Sequence, residues 1–284
     1  MNEQYRLSNN YGFSVIIIPY GGIIKEINVP DRNGKIENIV LNYRKSEEYL
    51  EDNFFIGALI GRYANRIESG NFSLKNENFQ LDKNEGDNHL HGGKKGFNKN
   101  FWKVVDYDSV NEKFIKLSYF SKHLECGYPG NLNCDVKYTI TDKNDFTIEF
   151  MAISDKDTIF NPTSHSYFNL NPSKMSILNH ELKINAKKYI PINKKNIPKN
   201  DLKWVVDTAF DFNKSKKIKV DINKNDNQIL NSKGYDHCFI LDKNKTNIAA
   251  ELSENITGRK LIIKTDQPGI QLYTGNHLEG KFKK

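Results

Sequence analysis

Apolar residues recur at every second position through much of this chain and seldom at the three-and-four spacing of an amphipathic helix, so the predicted elements are short strands. The plainest case is 136–153. Val136, Tyr138 and Ile140 alternate with polar residues on one face, Asp142-Lys143-Asn144-Asp145 supplies a turn, and Phe146, Ile148 and Phe150 share another face, which predicts an antiparallel hairpin. Between 13 and 29 the apolar runs are broken by Pro19 and Gly21-Gly22, predicting two strands around a turn, and Asp31-Arg32-Asn33-Gly34-Lys35 adds hairpin chemistry. Further strands are predicted over 114–120, 182–190, 238–241, 248–252, 261–265 and 270–273. Ser46-Glu47-Glu48 reads as a helix start with a capping hydroxyl, good for a turn or two before Asn53. The Asn/Lys-rich segments 194–200 and 214–231 read as long polar loops, disordered in part. Many short strands with few short helices predict an all-β protein, a large antiparallel β-sandwich.

Composition narrows this picture only a little. No internal repeat or compositional break divides the 284 residues, so 1–284 is read as one domain. Aromatic residues make up 12% of the chain, enough for a core, and the mean hydropathy of -0.68 reflects abundant Asn and Lys on the surface. A net charge of +7 raises nucleic acid as a partner. The basic residues do not concentrate, however: Lys187-Lys188, Lys194-Lys195 and Lys216-Lys217 are scattered among Asp and Asn, and only Lys281-Phe282-Lys283-Lys284 resembles a basic tail. A solvated basic surface without a nucleic-acid partner is expected. Cys126, Cys134 and Cys238 are odd in number and form no CxxC pair, which predicts reduced thiols. The first residues carry no signal-peptide run and the longest aliphatic run, 15–18, is too short for a bilayer, so no membrane association and a cytoplasmic location are expected.

Three islands carry candidate chemistry: Gly61-Arg62-Tyr63-Ala64-Asn65-Arg66-Ile67, Asn88-His89-Leu90-His91-Gly92-Gly93 and the segment 161–170 around His165. Nucleotide-binding GxGxxG, Walker and GxSxG signatures do not occur, so hydride transfer, phosphoryl transfer from ATP and serine hydrolysis lack support. His89 and His91, two apart on an extended segment, would point to opposite faces and are poorly placed to share a metal, so no metal is expected. The bland alternative for His91 is a bond to neighbouring backbone, but the following glycines allow close approach of a ligand. Asn65 and Arg66 offer an amide and a five-donor guanidinium suited to vicinal hydroxyls, although an Arg near Glu68 can equally form a surface ion pair. His165 lies among Thr163, Ser164, Ser166 and Tyr167, where an imidazole could give up a proton near neutral pH. Asp236-His237 and Gln271 add a carboxylate and an amide. Neutral donors and acceptors with few net charges suit a sugar better than a phosphate or a peptide.

GALIGRYANRI at 57–67, NHLHGG at 88–93 followed by KGFNKNFW, NPTSHSYFNL at 161–170, GYDH at 234–237 and QPGIQLYTGN at 267–276 resemble the successive signatures of the aldose 1-epimerase (galactose mutarotase) family, in that family's order and with similar spacing. The resemblance runs from about the first strand to the last residue. It implies a galactose mutarotase-like supersandwich with a cytoplasmic hexose site on one face. By matching position, Asn65, Arg66, His91, Tyr167, Asp236 and Gln271 would bind sugar hydroxyls, with Ser166 counted beside them, and His165 would be the general acid.

Interconverting the α and β anomers of a hexose needs a proton delivered to the ring oxygen and one removed from the C1 hydroxyl, with no cofactor. In the family the proton acceptor is a glutamate on a strand well beyond the QPG motif, and the sequence given ends at Lys284; Glu279 matches an acidic loop position that is not the acceptor. The expectation is therefore a chain incomplete at its C-terminus, short of the base, with an uncovered sheet edge unless a second polypeptide supplies the missing strands. It would be a monomer or homodimer. Two other expectations stand beside the enzyme: a noncatalytic sugar-binding protein on the same sandwich, and a sugar-phosphate epimerase, which would want more arginines near the site than Arg62 and Arg66.

Overall fold

The computed structural model describes residues 3–173, 176–242 and 247–278. Every strand pair among them is antiparallel, as the alternating pattern predicts. The chain forms two compact units, Met1–Pro30 with Lys35–Phe168 and Asp31–Gly34 with Asn169–Lys283. Among the described residues no helix is long and apolar enough to cross a membrane.

In the first unit, Tyr5–Ser8, Ser14–Ile18, Ile23–Pro30 and Ile36–Asn38 make one four-stranded meander, and Lys103–Asp108, Phe114–Ser121, Leu132–Ile140 and Phe146–Ser154 make another. Leu7, Val15 and Ile17 of the first and Leu117, Val136 and Tyr138 of the second are completely buried. The Tyr138 hydroxyl donates to the Gly22 carbonyl at 2.6 Å, tying the second sheet to the turn of the first. The hairpin at 136–153 forms, with one correction. Its register sets Val136 opposite Phe150, Tyr138 opposite Ile148 and Ile140 opposite Phe146, so the two apolar sets lie on the same face of the sheet. Directly paired residues of an antiparallel ladder always do.

In the second unit Lys216–Lys217, Glu181–Ile184, Ile248–Ser253 and Lys260–Lys264 form one sheet, in that order. Lys203–Trp204, Ala186–Ile190, Asp236–Leu241 and Gly269–Tyr273 form the other. Their core is aromatic: Tyr189 stacks on Phe210 at 4.1 Å between ring centroids, and Phe212, Tyr235 and Phe239 complete the cluster. The single strand expected over 182–190 is two strands in two sheets. Asn185 bonds Ile248 through its side chain and Ala249 through its backbone, and the chain changes sheets there. Alternation could not reveal the switch, because Leu182, Ile184, Ala186 and Tyr189 are buried on both sides of it.

Two more expectations need correcting. The segment 214–231 is not a loop: it holds the short strand Lys216–Lys217, a 3-10 turn Ile218–Val220 and most of the only α-helix among the described residues, Asn227–Ser232, capped by Asp226. Ile218, Ile229 and the partly buried Ile222 anchor it, too sparse a pattern to read as amphipathic. The 3-10 helix Ser46–Glu51 is where expected, but the Ser46 hydroxyl accepts from Gln4 and caps nothing. The Glu48 carboxylate instead accepts from the Lys45 amide at 2.8 Å. All three cysteines are free thiols; burial pushes Cys126 and Cys134 up to about 12 and Cys238 in the same direction.

Candidate active site

Backbone hydrogen bonds zip the three islands together within the first unit. Leu59–Ile60 pairs with Thr163–Ser164, and the bonding continues on both sides: His165 donates to Ala58, Gly57 donates to His165, Asn161 donates to Arg62 and Ala64 donates to Asn161. Arg66–Ile67 pairs with His89–Leu90, and His91 donates to the Asn65 carbonyl. Segments a hundred residues apart in sequence thereby share one small framework, which holds Asn65, Arg66, His91 and His165 by their main chains.

On this framework the His91 and His165 rings meet edge to face at 5.3 Å. Phe55 packs on both, 4.8 Å from His91 and 5.7 Å from His165, and Tyr167 lies 5.0 Å from His165. The Tyr167 hydroxyl donates to the Phe54 carbonyl, and the Ser166 hydroxyl lies 3.4 Å from that of Ser164. His91 Nδ1 accepts from the Asn65 amide at 3.0 Å, which leaves the proton of the neutral ring on Nε2. Both bonds to neighbouring backbone are present, so the bland expectation for His91 is met and the ring is also placed beside His165. His91 and Asn65 adopt left-handed backbone conformations, φ 54° and 71°, which turn His91 out of the strand and away from His89. Burial pushes both site imidazoles down, His91 well below the ordinary range and His165 to about 4. The neighbouring His165 and Arg66 add to the effect on His91, whereas the Asp52 carboxylate opposes it on His165. Each ring keeps some exposed surface, yet the protein packed around it decides its charge.

Arg66 reaches across the paired strands to Glu85, not to its sequence neighbour Glu68. Nε and Nη2 each lie 2.6 Å from a Glu85 carboxylate oxygen. Asp52, the carboxylate that acts on His165, is buried and accepts from the Tyr43 hydroxyl and the amides of Phe54 and Ile56. Phe55, Asp52 and Glu85 were not legible as site residues: each lies in a turn with no periodic or motif signal.

Arg62 is turned away from this cluster. It is 2% exposed, and its guanidinium donates to the carbonyls of Ser121, Lys122, Pro129 and Gly130 and to the hydroxyls of Ser121 and Thr158. It braces the loop between Leu59–Ile60 and Arg66–Ile67 and offers nothing to a phosphate, which weakens the sugar-phosphate alternative. His89 is also structural. Its ring is fully buried between the Asp82 carbonyl and carboxylate, at 2.8 and 3.0 Å, and the Tyr128 hydroxyl at 2.6 Å. Behind it, a Cβ on Gly92 would overlap the Gly61 carbonyl oxygen and one on Gly93 would strike the Asp82 carboxylate, so these glycines serve close packing of the two loops.

In the second unit, Asp236 and Gln271 lie on adjacent strands and Gln271 Nε2 donates to Asp236 Oδ1 at 2.8 Å. The fully buried His237 supports them, its Nδ1 accepting from the Asp236 amide. Glu279 lies outside the described residues.

The family model for aldose 1-epimerase matches residues 3–284. The chain is 37% identical to an aldose 1-epimerase of Haemophilus influenzae over 96% of its own length and 79% of the relative's. It is 36% identical to a galactose mutarotase of Sus scrofa, over 99% and 80%. A crystal structure of galactose 1-epimerase from Lactobacillus acidophilus superimposes with a TM-score of 0.88 at 36% identity, covering 97% of this chain and 79% of that one.

Proposed function

Because this chain belongs to the aldose 1-epimerase family, a family of isomerases, we propose that it interconverts the α and β anomers of a hexose such as galactose or glucose, with His165 as the proton donor. What carries this reading is the convergence of two imidazoles and an oriented guanidinium on one backbone framework, with Asn65 tying His91 and Arg66 together. His91, neutral with its proton on Nε2, donates to a sugar oxygen; Asn65 and Arg66 hold hydroxyls; Tyr167 and Ser166 line the His165 side. In the second unit, Asp236 and Gln271, already paired with each other, offer an acceptor and a donor suited to sugar hydroxyls.

The ring opens when His165 protonates the ring oxygen as the C1–O bond breaks and the C1 hydroxyl gives its proton to an acceptor. C1 becomes a carbonyl, turns about the C1–C2 bond, and the reverse transfers close the ring on the other face. Neither Asp52 nor Glu85 is read as that acceptor, since both carboxylates are committed to other partners. Burial holds His165 neutral at pH 7; an acceptor carboxylate beside bound sugar would raise its proton affinity, so acid and base act as a pair. The three free thiols fit a cytoplasmic location.

Polarimetry on freshly dissolved α-galactose tests the reading. The protein is expected to speed the approach to equilibrium, and His165→Ala to remove about 10² to 10⁴ of that acceleration. Sugar binding without acceleration would favour the noncatalytic alternative, and full acceleration by His165→Ala would exclude this imidazole as the donor.

A further inference from the structure

Arg66 and Glu85 form a two-point contact whose geometry neither partner could hold alone. We propose that Glu85 is a positioning residue that fixes the plane of the Arg66 guanidinium and cancels its charge, so that the site is set for a neutral hexose before the sugar arrives. This rests on the function proposed above and names a residue that determines what the site accepts.

The backbone of Glu85 is itself immobilised. Its amide donates to the Asn88 carbonyl at 3.1 Å and its carbonyl accepts from the Asn88 amide at 2.9 Å. One residue earlier, Asn84 donates to the Leu90 carbonyl and accepts from the Leu90 amide through its side chain, so the turn is clamped to the strand beside His91. From that anchor both carboxylate oxygens meet Arg66 at 2.6 Å, one on Nε and one on Nη2. A single contact would let the guanidinium pivot; two parallel ones define a plane and use two of its five donors. The Glu85 side chain is 36% exposed and that of Arg66 10%, so solvent screens the carboxylate end of the pair. Its value lies in orientation: a side chain already ordered loses no rotamer freedom when the ligand binds. The charge has a consequence as well. With the carboxylate present the Arg66 charge is offset and that end of the site suits a hydroxyl; without it the positive charge near His91 is less offset and favours a carboxylate or phosphate on the sugar.

The experiment compares the wild type, Glu85→Gln, Glu85→Asp, Arg66→Ala and the Arg66→Ala/Glu85→Gln double variant in polarimetric and calorimetric titrations with galactose and galacturonate. Glu85→Gln is expected to raise the galactose KM about tenfold while kcat changes by less than about threefold, to narrow the preference for galactose over galacturonate, and to leave the thermal midpoint in place. Glu85→Asp should recover part of the loss. The double variant should be no weaker than Arg66→Ala alone, because Glu85 acts only through Arg66. An unchanged KM in Glu85→Gln, or additive losses in the double variant, would overturn the assignment. A wild type that binds neither sugar would instead overturn the hexose reading on which the role depends. The pair can be read without sugar: the Arg66 Nε–H proton should exchange slowly by NMR in the wild type and rapidly in Glu85→Gln, and rapid exchange in both would show that the contact does not form.

Discussion

Arg66 and Arg62, four residues apart, divide one motif into a proposed ligand contact and a brace. Arg66→Ala should weaken hexose binding by about 1 to 3 kcal/mol, the range of a charged hydrogen bond, with little change in stability; calorimetric titration and a melting curve check both. Arg62→Met should do the reverse. It strands four carbonyls that the guanidinium now satisfies, so a loss of about 3 to 5 kcal/mol is expected in denaturant titration, and a loss under about 1 kcal/mol would show the brace to be dispensable. At this scale the motifs identified which positions to watch, through the resemblance, and left their partners open. Nothing in the sequence distinguishes Glu85 from Glu68 as the partner of Arg66, because that choice depends on the turn of 85–88 folding back along Arg66–Ile67. Nor could it show that His89 faces Asp82 and Tyr128 while His91 faces His165, a separation made by one left-handed residue at the strand end.

The elements that build the site are its shortest. Two-residue pairings, Leu59–Ile60 with Thr163–Ser164 and Arg66–Ile67 with His89–Leu90, bring the imidazoles and Arg66 together, and no periodicity test detects a strand of two residues. Long strands with one buried face were legible, as at 114–121 and 132–154, since the pleat imposes a strict period of two. The sheet change at Asn185 and the helix at 227–232 were not, because one is set by contacts with Ile248 and Ala249 and the other by the Asp226 cap and a single buried isoleucine, Ile229. The short pairings also explain why Gly92 admits no side chain. Gly92→Ala would drive a methyl into the Gly61 carbonyl and require φ 89° of an alanine, so it should cost about 2 kcal/mol or more in stability and misplace His91. Wild-type stability with wild-type activity in this variant would show that the two loops can separate without harm.

For the molecule as a whole, the histidines set the response to acid. His165 and His237 are pushed down to about 4, and burial lowers His89, His91 and His180 as well. The unfolded chain takes up these protons near pH 6.5, the folded chain only at lower pH, so the unfolded state binds more protons between. Stability is therefore fully present above about pH 6.5 and declines as pH falls toward 4, His237 alone contributing on the order of 3 kcal/mol across that window. Urea midpoints at pH 7.5, 6 and 5 should fall in that order; a flat series would mean that the imidazoles are protonated in the folded protein. Among the described residues the chain passes between its two units three times, after Pro30, Gly34 and Phe168. We propose that 1–284 unfolds as one domain, in a single calorimetric transition, and two resolved transitions would assign each unit its own stability.

Cys134, third residue of Leu132–Ile140, has no exposed surface, and Cys238 lies in Asp236–Leu241, so each unit carries one sulfur inside a central strand. With their proton affinities raised, these thiols should ignore iodoacetamide at pH 7.5 for as long as the strands stay paired. Alkylation of either one would therefore time the opening of the sheet that holds it, giving the native sequence a clock for each half without any introduced label.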